Sequence, residues 1–93
     1  MGNEYQISFP LNKLSEFQNL MERLGGHAST QSESRFEFGS AASHYSTVIL
    51  KDKGIYFCDH LSDPEKAGRL FLQIVNSALT YSDSSDTISI TSL

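Results

Sequence analysis

Two apolar runs, Val48-Ile49-Leu50 and Ile55-Tyr56-Phe57-Cys58, flank Lys51-Asp52-Lys53-Gly54, and this pattern constrains the chain more than any other. Both runs are rich in β-branched and aromatic residues, and the residues between them have turn chemistry, so a β-hairpin is expected from Thr47 to about His60. Gly54 fits the left-handed position that closes a three-residue loop, which makes Lys51 and Ile55 the closing pair. Counting outwards sets Leu50 opposite Tyr56 and Val48 opposite Cys58 on one face. Ile49 then opposes Phe57, and Thr47 opposes Asp59, on the other. On that register both faces are apolar. A sheet with one solvated face alternates apolar and polar residues, so this hairpin is expected to be covered on both sides or to meet a partner on the second.

The rest of the chain supplies elements to pack against it. Glu4 to Phe9 alternates, with Tyr5, Ile7 and Phe9 on one face and Gln6 and Ser8 on the other, as a half-buried strand does. Pro10 ends it. Asn12 is placed to cap a helix running to about Leu24, with Leu14, Phe17, Leu20, Met21 and Leu24 on one stripe and a left-handed stop at Gly25-Gly26. His27 to Ser34 is small and polar and reads as a connection. Arg35 to Phe38 resumes alternation with both phenylalanines on one side, and Gly39-Ser40-Ala41-Ala42-Ser43 reads as a loop or bulge before a strand that starts near Tyr45.

Asp63-Pro64-Glu65 combines an N-cap, a proline at the first helical position and an acid in the first turn. The helix it opens carries Ala67, Leu70, Phe71, Ile74, Val75, Ala78 and Leu79 as its buried stripe, with Leu72 widening the arc, and ends between Tyr81 and Ser85. Asp86 to Thr91 alternates again, with Ile88 and Ile90 inward.

The order strand, helix, three strands, helix, strand predicts one α+β domain over residues 1–93. The least-strained arrangement is a two-layer α/β sandwich, β-α-β-β-β-α-β, with a mixed or antiparallel sheet and both helices on one face. By element order it resembles the ferredoxin-like split β-α-β pattern with an extra hairpin strand. Tyr5, Ile7, Phe9, Phe36, Phe38, Ile88 and Ile90 would face the helices.

Charge narrows the partners. The formal net charge is −4 and the seven Lys and Arg residues form no cluster, whereas nucleic-acid binding needs concentrated positive charge to displace counterions. A basic protein partner fits better. One cysteine precludes an internal disulfide and agrees with a reducing, cytoplasmic setting. No apolar stretch approaches the ~20 residues of a membrane span, and the first residues lack the charged-then-apolar layout of a secretory signal.

Chemistry-bearing residues are few. Cys58-Asp59-His60 is a cluster by sequence, but alternation along a strand would send Asp59 to the opposite face and hold Cys58 and His60 about 6 to 7 Å apart. Their spacing matches no tetrahedral metal set, so no metal or cofactor is expected, and a strand cysteine is ordinarily an inert small hydrophobe. The small residues at 39–43 lack the Gly-Lys-Ser/Thr end of a phosphate loop. Thr91-Ser92-Leu93 matches a short C-terminal pattern captured by PDZ domains, unless a last strand ties it down.

The expectation is therefore a non-enzymatic protein-binding domain acting through its sheet surface, such as a small acidic inhibitor or immunity-type protein that neutralises a basic enzyme, or one that self-associates. Val48, Leu50, Tyr56, Cys58 and His60 are its candidate contact residues. The alternative is a small-molecule-sensing regulatory domain acting as a dimer.

Overall fold

The computed structural model describes residues 2–29, 32–82 and 87–93. In chain order the elements are β1 (Asn3–Ser8), α1 (Leu14–Arg23), β2 (Gly26–Ser29), β3 (Ser32–Ser40), β4 (Ser43–Lys51), β5 (Gly54–Asp59), α2 (Pro64–Tyr81) and β6 (Ser89–Ser92). The six strands form one sheet in the order β2-β3-β4-β5-β1-β6, antiparallel at every step. The α+β class and the two helices on one face agree with expectation, and the ferredoxin-like order does not. That order needs strands joined through a helix to lie parallel as neighbours or near neighbours. Here β2 to β5 are successive hairpins, and β1 enters antiparallel between β5 and β6.

The unexpected strand is β2, Gly-His-Ala-Ser, which has no apolar alternation to announce it. It exists because its backbone pairs with β3, Gly26 opposite Phe38 and Ala28 opposite Phe36. Gly26 is required there, since a Cβ would come within 2.7 Å of the Phe38 ring. Gly25, at φ 98°, provides the left-handed stop of α1 alone.

Helix α1 starts at Leu14 behind Lys13 with no side-chain cap, so Asn12 does not act as the expected cap. Helix α2 starts as expected: an Asp63 carboxylate oxygen accepts from the Lys66 backbone N–H at 3.2 Å, and Pro64 follows it. Of its stripe, Ala67, Leu70, Ile74 and Ala78 are fully buried, while Leu79 lies in solvent with Leu72. The last strand starts at Ser89, and the predicted start at Asp86 lies outside the described residues. Its end is tied down, because the Leu93 N–H donates to the Glu4 carbonyl at 2.9 Å.

One core fills the space between helices and sheet. Phe17 and Met21 of α1, Leu70 and Ile74 of α2, and Ile7, Phe36, Phe38, Val48, Ile55 and Phe57 of the sheet all belong to it. Among the described residues no helix covers the opposite face. Nor, among the described residues, is any helix long and apolar enough to cross a membrane.

Candidate functional site

The hairpin register decides what the bare face presents. Lys51 pairs with Gly54, Leu50 with Ile55, Ile49 with Tyr56, Val48 with Phe57 and Thr47 with Cys58, so the loop has two residues, Asp52 and Lys53, and not three. Gly54 does take a positive φ, 141°, as expected of a glycine, but as the first residue of β5 and the partner of Lys51 rather than inside the loop. Its missing Cβ admits β1, because a methyl group there would sit 2.0 Å from the Ile7 carbonyl oxygen. Lys53 and Asp52 also accept the Phe9 and Leu11 N–H groups at 3.0 and 3.3 Å, which fastens the chain leaving β1 to the turn.

This one-residue difference in pairing divides the five candidate contact residues, since a shift of one reverses the face of every side chain. Val48 and Leu50 join Ile55 and Phe57 beneath the helices, at 0% and 3% exposure, and are core residues. Tyr56, Cys58 and His60 lie on the bare side with Thr47 and Ile49. The hairpin therefore alternates after all, and its outer face is mixed in character.

Two cross-strand rows build that face. His27, Glu37, Thr47, Cys58 and Glu4 are paired neighbours on β2, β3, β4, β5 and β1. Arg35, Ile49, Tyr56, Gln6 and Thr91 form the adjacent row on β3, β4, β5, β1 and β6. Strand alternation around Phe36-Glu37-Phe38 and Thr47-Val48 already held the signal for Glu37 and Thr47, which the sequence reading did not single out.

A hydrogen-bond chain crosses the first row. The Thr47 hydroxyl donates to Glu37 Oε2 at 2.5 Å and lies 2.7 Å from His60 Nε2, while Arg35 Nε donates to Glu37 Oε1 at 2.8 Å. Because the single Thr47 proton goes to the carboxylate, His60 must donate through Nε2–H. In the neutral ring this leaves the Nδ1 lone pair towards Cys58 Sγ, at 3.7 Å. The expected separation of 6 to 7 Å fails because His60 lies past the end of β5. There its N–H bonds to the Tyr45 carbonyl, and the chain bends through Leu61 at φ 66°.

The result is a thiol facing an oriented base, but the thiol is enclosed: Cys58 is 7% exposed, and a Cβ on Gly2 would lie 3.2 Å from its sulfur. Partial burial pushes the Glu37 carboxyl up, yet the hydrogen bonds from Thr47 and Arg35 and the charges of Arg35 and His44 outweigh it and hold Glu37 below its ordinary value. In the second row the Tyr56 hydroxyl donates to Glu4 Oε1 at 2.5 Å, and the Lys51 ammonium lies 5.5 Å from the ring centroid. Burial, then the Glu4 bond and the neighbouring Cys58, push the Tyr56 hydroxyl well above its ordinary value. Among the described residues no group of three or more His, Cys, Asp or Glu is placed to hold a metal ion.

A second feature lies on the helix side. The helices sit mainly over β2, β4 and β5, and near β1 and β6 a cavity of about 250 Å³ opens beside α2. Tyr5, Phe57 and Phe71 line it with Gly68, Asp59 and Ile90. No family model, curated protein or solved structure gives a significant match to the chain.

Proposed function

We propose that this chain is a non-enzymatic, cytosolic protein-binding domain that engages a basic partner through the bare face of its sheet, in the manner of a small acidic inhibitor. The observation that carries the reading is the make-up of that face. Ile49 and Tyr56 form a half-buried apolar pair at its centre, and Glu4, Gln6, Arg35, Glu37 and Lys51 surround them. An aromatic and aliphatic anchor inside a polar rim is the composition in which interface energy concentrates. The rim itself carries two acids and two bases, and the net charge of −4 of the chain as a whole favours the approach of a basic partner.

The test is Tyr56→Arg. The arginine can pair with Glu4 and keep the sheet, while its charge opposes a basic partner. Native mass spectrometry of protein purified gently from its own cells should show wild type carrying a basic protein and the variant carrying none, with unchanged far-UV circular dichroism. An undiminished complex in the variant would refute the site.

The cavity favours a second reading, small-molecule sensing, with the ligand held inside one chain. A ligand at 100 times its dissociation constant would stabilise the fold by about 2.7 kcal/mol, and a flat thermal response across a metabolite panel would count against it.

A further inference from the structure

We infer that the cavity beside α2 is a site for a small organic cation, a quaternary or methylated ammonium group. The inference rests on the small-molecule reading and adds the ligand class.

Three aromatic rings make the wall. Phe71 of α2 lies 5.3 Å from Tyr5 and 5.1 Å from Phe57 between ring centroids, tilted to one and edge-on to the other. Ala67 and the half-exposed Ile90 complete an apolar lining. The one charged residue in that lining is Asp59, which pairs with Ser46 across the hairpin and so points to the helix side. Its Oδ1 accepts the Leu61 N–H at 2.8 Å, and it forms no ion pair among the described residues.

Gly68 is the independent observation. It sits inside α2, where glycine costs about 1 kcal/mol relative to alanine, and packing does not explain it, since a Cβ there would meet nothing within 4 Å. It lines the cavity, and any larger side chain would begin to fill the opening.

These features select the ligand by elimination. A bare metal ion finds one carboxylate and apolar walls, which is too few oxygen donors. An anion is repelled by Asp59. A neutral apolar molecule would displace water from a carboxylate and leave it uncompensated. An alkylammonium ion presents a methylated shell to the rings, where cation–π attraction acts, and its charge to Asp59. The volume of about 250 Å³ falls below the ~300 Å³ at which pockets for drug-sized molecules begin, so the ligand is small.

The test compares choline with its neutral carbon isostere, 3,3-dimethylbutan-1-ol, by NMR titration of the whole chain. Choline should give saturable shifts at Ala67, Gly68, Phe71 and Ile90, and bind about tenfold more tightly than the alcohol. Asp59→Asn, whose amide oxygen can still accept the Leu61 N–H, should erase that preference. Gly68→Leu should abolish both titrations while the melting temperature stays level or rises. Equal binding of the two probes would overturn the cation assignment and leave the pocket a ligand site. Saturable shifts from neither probe would overturn both.

Discussion

Replacing Thr47 by valine removes one hydroxyl from the middle of the bare face and leaves the shape almost unchanged. Thr47 is almost fully buried, so water does not replace what is lost. The Glu37 carboxylate forfeits a 2.5 Å bond from the hydroxyl, and His60 Nε2–H forfeits its acceptor at 2.7 Å. Bonds to a charged group contribute about 1.5–3 kcal/mol and neutral ones about 1, while the added buried methyl returns about 0.8. Arg35 still serves Glu37, whose side chain is 19% exposed, so the low end of the range applies and the net loss is about 2 kcal/mol.

A chain of this length has about 5–14 kcal/mol of stability in total, and with a urea slope of about 1 kcal/mol/M the midpoint should fall by about 2 M. The loss should also depend on pH. Glu37 has its folded value depressed, so its stabilisation is present above the ordinary carboxylate value of 4.5 and is lost as pH falls through the lower folded value. Without Thr47 the depression shrinks. Urea melts at neutral pH and in acid should therefore show a gap between wild type and variant that narrows in acid. A gap under about 0.5 kcal/mol at neutral pH, the size of an ordinary surface substitution, would refute the chain of bonds from Glu37 to His60.

Two other substitutions probe the frame that holds the face. Gly54→Ala places a methyl group on the Ile7 carbonyl and should part β1 from β5, destabilising by more than 3 kcal/mol or preventing folding, as judged by circular dichroism and urea melts. Ser46→Ala removes a fully buried hydroxyl that has no hydrogen-bond partner among the described residues, and should be neutral or stabilise by about 1 kcal/mol in the same assay; a clear loss would mean that the hydroxyl is bonded.

The bare face was only partly legible in the sequence, and the reason is specific. Of the five residues that the sequence places on one face, Tyr56, Cys58 and His60 lie on the bare side, while Val48 and Leu50 lie in the core. In a hairpin whose two strands are both apolar, either register buries apolar side chains, so pattern cannot choose between them. Strand spacing does not predict the contact between His60 and Cys58, because β5 ends at Asp59 and the chain turns away there. The apolar cavity was not legible at all, since its lining is assembled from four elements, with Tyr5 of β1 and Ile90 of β6 at opposite ends of the chain.

By itself the sequence determined what is local: two helices from stripes at helical spacing, the start of α2 from Asp63-Pro64, most strands from alternation, and the stop at Gly25. These follow from backbone sterics and from which side of an element is apolar, and both act within a few residues. Tertiary structure decided the strand order, the existence of β2 and the hairpin register, because each depends on a backbone approaching from elsewhere. Strand β2 is held by pairing with β3, and the register by β1, whose Ile7 carbonyl occupies the space that only the glycine at position 54 leaves open. Through that contact, the face that Tyr56 and Thr47 present was set by a strand more than forty residues away in the chain.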